Sequence, residues 1–448
     1  MKKFDLAVIG GGNTGLAVAN RVSAAGRNVV LIDKGPVGGL CSLAGCNPKK
    51  VFVRASEVLD EVRRASEHGV DVGTITVDWE RVWRRKHSFT NAVPESTERG
   101  LAAKGVARIR GVARFAAPDV LVAAEEEVHA EGFVIATGST PRRLAFPGAE
   151  LTKTTDDILE LRHPPQRMIV IGAGVVAFEF SHVFARLGTR VTILMRTRRA
   201  LAGFDDDFSE HAVEFTKTLG VELIPETSVA AVRQSNGALR VDFTHADGVA
   251  WRDADFVLNA AGRVAAIGDL DLDAAQVETW RRGIVVDEFL RSRTNRHVFA
   301  GGDAHGILQL SPVASYEGRA IARNFLEGDV VKVDYTTVPQ AIFTTPPLAT
   351  VGLTETEARA RGIAVDVATN DMKSWKVYAI AGAEVAWSKV ISERGGGRIL
   401  GAQLFGAGAG DNIHFFALAI RCAVTSAELK EFVYAYPTYA SAIQSAVP

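Results

Sequence analysis

The sequence predicts an α/β protein made of two similar layered units followed by a C-terminal α+β segment. Three observations carry this. A short apolar run, a glycine cluster, a helical stretch and a second apolar run occur in that order twice, near residues 4–32 and 168–195. Each copy is followed later by another apolar run ending in small residues, at 132–138 (GFVIATG) and 255–262 (DFVLNAAG). The chain has 448 residues, 47% apolar and 23% charged. That is enough for several cores at roughly 100–200 residues per domain.

The elements follow in order. Residues 4–9 form a continuous apolar run, the pattern of a parallel strand buried on both faces. Glycines at 10, 11, 12 and 15 lead into a helix over 16–25 and a strand over 28–32. The second copy places a strand at 168–171, a loop at 172–174, a helix over 175–187 and a strand at 190–195. Residues 297–303 (HVFAGGD) run from a strand into a glycine turn and a carboxylate. After residue 334 no further glycine loop occurs. Strands at 383–391 and 398–404 precede an apolar helix at 412–424.

Charge and cysteine usage exclude several classes. With 51 basic and 52 acidic residues the net charge is −1, which gives no broad field for nucleic acid or an anionic membrane. A local phosphate site remains compatible with it. No run of about 18 apolar residues predicts a membrane span. The start, MKKFDLAVIGGG, has too short an apolar stretch for a secretory segment, so a cytoplasmic protein is expected. Three cysteines, Cys41, Cys46 and Cys422, do not make a disulfide scaffold.

Gly10, Gly12 and Gly15 have the G-x-G-x-x-G spacing of a Rossmann-like nucleotide loop. Such a loop sets phosphates at a helix N-terminus, where free N–H groups and the helix dipole favour anions. Asp33, at the end of the second strand, can accept from a ribose diol. Gly172, Gly174 and Ala177 repeat the spacing, but Arg196 stands at the place of Asp33, followed by Arg198 and Arg199. A carboxylate there would repel a 2′-phosphate, whereas guanidinium groups offer it planar charged donors. The second site is therefore expected to prefer NADP over NAD. The alternative is a solvated basic loop.

The segment GGLCSLAGCNPKK separates Cys41 and Cys46 by four residues. Arg54, Ala55, Val58, Leu59 and Val62 recur at helical spacing, which puts Cys46 near a helix N-terminus, where a thiolate is stabilised. Zinc would need further ligands, and no matching Cys/His pair lies nearby. A redox-active pair is favoured over a structural disulfide. Cys422, within FFALAIRCAV, is expected to be a buried apolar-like thiol.

Taken together, the glycine loop, C-x-x-x-x-C, ATG, second glycine loop, glycine–aspartate turn and C-terminal segment resemble the flavoprotein pyridine nucleotide-disulfide oxidoreductases. That family includes glutathione reductase, dihydrolipoamide dehydrogenase and mercuric reductase. The resemblance spans essentially the whole chain. It implies two Rossmann-like domains and a C-terminal α+β dimerisation domain. FAD would occupy a discontinuous domain (1–147 and 264–333), NADPH a domain at 148–263, and residues 334–448 would form a homodimer interface. It implies hydride transfer from NADPH to FAD and on to the cysteine pair, with Cys46 next to the flavin and Cys41 attacking a small-molecule disulfide. Lys49 and Glu179 match the family's lysine–glutamate pair, and Tyr436 stands at the acid–base position. Cofactor contacts are expected from Gly10, Gly12, Gly15, Asp33, Lys50, Thr137, Gly138, Gly302 and Asp303 for FAD. For NADPH they are expected from Gly172, Gly174, Ala177, Arg196 and Arg198, and Gly262 and Arg263 are expected to contact a cofactor. No bound metal is expected.

The chain departs from the pattern at its end. The family's disulfide reductases carry His-Pro-Thr with a glutamate three residues after the threonine. Here Tyr436-Pro437-Thr438 is followed by Ser441. A phenol of ordinary pKa, about 10, is a poor base at pH 7, although it can donate a hydrogen bond. The proton would then come from Tyr436 or Tyr439, or from a group such as His305, or the acceptor would need little proton transfer. The C-terminal cysteine pair usual in mercuric reductases is absent. Asn20 stands where glutathione reductase has a substrate-side arginine, while Arg319 matches a second one. Val175 replaces a tyrosine that covers the nicotinamide pocket. A low-molecular-weight disulfide is the leading expectation. The alternatives are mercuric ion, a quinone, a dihydrolipoamide-type reaction, or a low-turnover flavin redox sensor.

Overall fold

The computed structural model describes residues 2–235 and 237–448, and main chain only at Lys2. The chain divides into two compact units: 1–51, 83–142 and 262–334 in the first, and 52–82, 143–261 and 335–448 in the second.

The first unit is built on a mixed sheet. Lys2–Ile9 lies at its centre, parallel to Val29–Asp33 on one side and to Glu126–Ile135 on the other. Ala107–Arg110 extends the sheet beyond Val29–Asp33, and Val298–Ala300 adds in parallel to Glu126–Ile135. An antiparallel hairpin, Ala113–Ala117 with Val120–Ala123, completes the other edge. Alternation along the central strand explains its unbroken apolar run. Leu6 and Val8 pack with Val18, Ala19 and Val22 of the helix Asn13–Ala24 and with Ile321 of the helix Ser311–Glu327. Ala7 and Ile9 point to the opposite face, with Phe115, Leu121 and Phe133.

The second unit holds a four-stranded parallel sheet in the order Glu222–Ile224, Arg190–Leu194, Arg167–Ile171, Phe256–Asn259. Ser228–Ser235, Ala238–His245 and Gly248–Ala254 form an antiparallel three-stranded sheet. The C-terminal part of this unit is a five-stranded antiparallel sheet, flanked by the helix Ala409–Arg421. One aromatic core joins these parts. Phe208 stacks on Phe204 at 5.3 Å and meets Trp387 at 5.5 Å, and Phe215 meets Phe405 edge-on at 5.6 Å. Buried charge is paired within the same core. Lys389 sits among Glu355 at 2.8 Å, Asp207 at 3.0 Å and Asp205 at 3.3 Å, and Gln403 donates to Asp205 at 2.9 Å. Burial pulls the Lys389 ammonium down, but its carboxylate partners outweigh it and keep the group charged.

Local boundaries shift for identifiable reasons. The strand expected at 132–138 is observed as Glu126–Ile135. Its polar first half pairs with the edge hairpin, and it stops before Ala136-Thr137-Gly138. The strand expected from 383 begins at Trp387, because Gly382 (φ 61°) and Ala383 close a turn after a short helix. The C-terminal helix ends at Arg421, with Cys422 at its cap. Cys422 is exposed, not buried as expected. The buried stripe of this helix runs through Ala409, Ile413, Phe416 and Ala419, and Cys422 lies off it. Among the described residues no helix is long and apolar enough to cross a membrane.

His182 lies fully inside the second unit. Its Nε2 faces Thr216 Oγ1 at 2.9 Å, and its Nδ1 faces the Thr345 N–H at 3.4 Å. Burial, helped by Arg186, pushes the ring down to about 3. The ordinary imidazole value is about 6.5, so the unfolded chain takes up a proton there first. The stabilising contribution is complete above that value and is lost as the pH falls toward 3. This linkage amounts to about 2 kcal/mol between pH 8 and pH 5. Thermal melts should therefore show a smaller drop in midpoint between those pH values for His182→Gln than for the parent. An equal drop would refute the assignment.

Candidate active site

The first glycine loop leaves the central strand at Ile9 and opens the helix Asn13–Ala24, whose N-cap is Gly12 with no side-chain cap. The first-turn N–H groups are left to an incoming anion. Gly15 has no room for a side chain, since a Cβ there would run into the Gly10 carbonyl oxygen. Asp33 ends the neighbouring strand and is tied to the loop: its carboxylate accepts from the Gly11 N–H at 2.5 Å and the Gly35 N–H at 2.8 Å. Gly10, Asp33, Val112, Thr137 and Asp269 line a cleft beside the loop. Among the described residues the buried Thr137 Oγ1 has no hydrogen-bond partner, and Gly138 follows it with φ 72°.

The glycine–aspartate turn belongs to the same unit. Asp303 follows the strand Val298–Ala300 within a short 3-10 turn. Ser139 Oγ donates to Asp303 at 2.6 Å, and Arg263 donates to both the Oγ and the carbonyl of Ser139, at 2.8 and 2.6 Å. Burial pushes the Asp303 carboxyl up, against the pull of Ser139 and Arg263. Arg263 thus holds Ser139, and through it Asp303, within the first unit.

The two thiols also lie here. Cys41 sits on the short helix Gly39–Leu43, and Cys46 is the first residue of the helix Cys46–Arg63. Both are free thiols. Gly39 brings the segment onto the glycine loop: a Cβ on Gly39 would stand 2.5 Å from the Gly12 Cα. Cys46 Sγ is 3.2 Å from Ser311 Oγ, at the start of the helix Ser311–Glu327. A hydrogen bond to the Cys46 side chain, with burial, pushes the Cys41 thiol up, so Cys41 holds its proton. Lys49 is buried and Lys50 half-buried on the same helix as Cys46.

In the second unit Gly172 (φ 113°) closes the other glycine loop, and Gly174 caps the helix Val175–Arg186. Ala177 is fully buried where the first loop has Gly15. The Leu201 N–H donates to the Ala173 carbonyl at 2.9 Å, folding the segment after the second strand back onto the loop. Arg196 and Arg198 are exposed on that segment, whereas Arg199 pairs with Asp206 at 2.5 Å. Glu179 is buried and accepts from the Phe343 N–H at 2.8 Å. Gly262 (φ 103°) belongs to the first unit, where its carbonyl accepts from the Arg142 N–H. At the C-terminus, the Tyr434 hydroxyl donates to the Leu429 carbonyl, and Tyr439 packs on Tyr378 at 5.2 Å. Tyr436 is 71% exposed. Thr438 and Ser441 cap each other.

Residues 4–318 match the family model described as pyridine nucleotide-disulphide oxidoreductase, and residues 338–447 match that family's dimerisation domain. The chain belongs to this family. A glutathione reductase of Burkholderia cepacia is 31% identical over 438 residues, covering 98% of this chain and 97% of the relative. A mercuric reductase of Streptomyces lividans is 32% identical over 462 residues, covering 99% and 95%. The structure of the HOCl-induced flavoprotein disulfide reductase RclA from Escherichia coli, as a Cu(II) complex, superposes with a TM-score of 0.89 at 25% identity, covering 100% and 99%.

This disulphide oxidoreductase is a flavoprotein enzyme that uses FAD and a nicotinamide nucleotide. The first unit fits FAD on its own observations: an uncapped helix N-terminus, a buried Thr137 hydroxyl with no partner among the described residues, and two carboxylates held in place, Asp33 and Asp303. Several residues of the oxidoreductase escaped the sequence. Ser139, which holds Asp303, directly follows ATG and was within reach of the motif. Ser311, which touches Cys46, is 265 positions away from it and carries no local signature.

Filling the space at Gly15 should displace the loop. Purified Gly15→Ala is expected to retain less than about a tenth of the parent's FAD, measured as flavin absorbance per chain. Full retention would show that the approach to Gly10 does not shape the cofactor site.

Proposed function

We propose that the protein is an NADPH-dependent flavoenzyme that reduces a low-molecular-weight disulfide through Cys41 and Cys46. The observation that carries this reading is the contact of the thiol segment, through Gly39, with the glycine loop of the first unit, with Cys46 at a helix N-terminus against Ser311. Residues 1–147 and 264–333 are read as the FAD domain, 148–263 as the NADPH domain and 334–448 as the dimerisation domain. The exposed Phe415, Leu418, Phe432 and Val433 support a homodimer through the C-terminal segment.

Bound FAD supplies the two-electron chemistry that takes hydride from NADPH and reduces the cysteine disulfide. The protein's residues do the rest. The Cys41 thiol attacks one sulfur of the substrate disulfide and passes its proton to the departing sulfur, forming a mixed disulfide and releasing one thiol. Cys46 then attacks the Cys41 sulfur, re-forms the internal disulfide and releases the second thiolate. The two cysteines lose two electrons, and the products take two electrons and two protons. Cys46 suits the anionic role, since the helix dipole favours charge there and Cys41 holds its own proton. Arg196 and Arg198 would hold the 2′-phosphate, and Glu179 and Lys49 would flank the nicotinamide and flavin. Tyr436 would donate a proton to a leaving thiolate.

A second reading, an acceptor such as mercuric ion or a quinone, draws on the same C-terminal segment. Tyr436 and Ser441 stand where the family's disulfide reductases have histidine and glutamate, and Val175 is 41% exposed at the mouth of the second loop. Such acceptors need less proton transfer.

NADPH oxidation over oxidised glutathione, other small disulfides, mercuric ion and quinones separates the two readings. Disulfide turnover that is lost in both Cys41→Ser and Cys46→Ser is the expected result. Turnover of a quinone alone, undiminished in Cys41→Ser, would favour the second reading. Arg196→Glu should raise the KM for NADPH at least about tenfold more than that for NADH. An unchanged ratio would remove Arg196 from the phosphate site. Cys46→Ala should make Cys41 about tenfold more reactive toward iodoacetamide at pH 7 than in the reduced parent, because its hydrogen-bond partner is lost. Equal reactivity would refute the proton assignment.

A further inference from the structure

Glu317 and His305 form an ion-pair-forming couple with no exposed surface, inside the first unit. Both carboxylate oxygens of Glu317 are engaged: Oε2 accepts from the Gly302 N–H at 2.5 Å, and Oε1 faces His305 Nε2 at 2.9 Å. Among the described residues His305 Nδ1 is buried with no hydrogen-bond partner, so Nε2 makes the ring's hydrogen bond. Apolar side chains of similar volume would fill this space at little or no loss of stability, whereas a buried carboxylate is sustained only by partners in good geometry. The couple therefore calls for a geometric explanation.

Its two anchors lead to two separate contacts of the candidate site. Gly302 precedes Asp303, held through Ser139. Glu317 lies six residues after Ser311 on one continuous helix, and Ser311 touches Cys46. The glycine-loop helix closes the circuit: Asn13 Nδ2 donates to the Ser311 carbonyl at 3.3 Å and Thr14 Oγ1 to the Ala314 carbonyl at 2.9 Å. Gly318 lets the two helices meet, since a Cβ there would stand 2.7 Å from the Thr14 carbonyl oxygen.

We propose that Glu317 and His305 are positioning residues that lock the Asp303 turn and the Ser311 helix in one register, so that the FAD contact and the Cys46 contact are set together. The inference rests on the function proposed above. It separates this couple from ordinary core packing, which would move stability without linking the two contacts.

The test compares the full-length parent with Glu317→Gln, which keeps the shape, and His305→Gln, a second variant in case the first fails to fold. Three quantities are measured: FAD affinity by reconstitution of the stripped protein, the rate of Cys46 alkylation in the reduced holoprotein by peptide mapping, and affinity for adenosine 2′,5′-bisphosphate as a probe of the second unit. The lock predicts about tenfold weaker FAD binding together with an altered Cys46 rate of at least about threefold. The bisphosphate affinity should not change. Movement of only one of the first two quantities, of neither, or of all three in parallel with a lowered thermal midpoint would overturn the lock. A parent that takes up no FAD would overturn the proposed function and this inference with it. A parent that binds FAD beside indifferent variants would overturn the inference alone.

Discussion

Where Gly39 meets Gly12, two stretches of main chain touch with no side chain between them. Beside it the Gly38 N–H donates to the Gly11 carbonyl at 2.9 Å, and together these two contacts hold the thiol segment on the glycine loop. The loop is drawn tight by Gly15 against the Gly10 carbonyl, and Asp33 pins it from the neighbouring strand. Close packing of this kind transmits displacement, since interiors have little free volume to absorb a shift. An added methyl group at any of these glycines would therefore be felt at Cys41 and Cys46 as well as at the loop itself.

The second unit solves a different problem with a similar start. Its parallel sheet and glycine loop resemble those of the first unit, yet its helix Val175–Arg186 is packed among phenylalanines on one side and carries buried polar groups on the other. Glu179, His182 and Arg186 all point inward. Arg186 donates to Asp60 at 2.8 Å and to the Thr345 carbonyl at 2.5 Å. Together with Lys389 and its carboxylates, these contacts join segments far apart in the chain through directional bonds. Burying such groups is costly when a partner is missing, so each one narrows the set of arrangements the chain can adopt.

Much of the fold was legible because its strands are buried on both faces. Runs such as LAVI and MIVI leave little room for another assignment, and the glycine spacing after each marks the turn. The thiol pair was legible from its spacing and from the helical pattern downstream. Residues that act across the fold were not. Ser311 and Glu317 reach the site from almost 300 positions beyond the glycine loop, and nothing local distinguishes them from other polar residues of an amphipathic helix. The guanidinium of Arg263 turns to Ser139, 124 positions away, a pairing that no local pattern reveals. Cys422 was misjudged because an apolar neighbourhood in sequence is not a buried face. One residue off the stripe is enough to turn a side chain outward.

The two glycine loops present closely similar backbones, so contour alone gives an adenine nucleotide no reason to choose between them. Discrimination falls to the residue at the tip of the second strand in each copy. On the proposed reading, the Asp33 side chain, already bonded into its loop, would disfavour a ribose that carries an extra phosphate, while the solvent-facing Arg196 would accept one. A duplicated scaffold would thereby be protected from cross-loading by a reversal of sign at a single structural address.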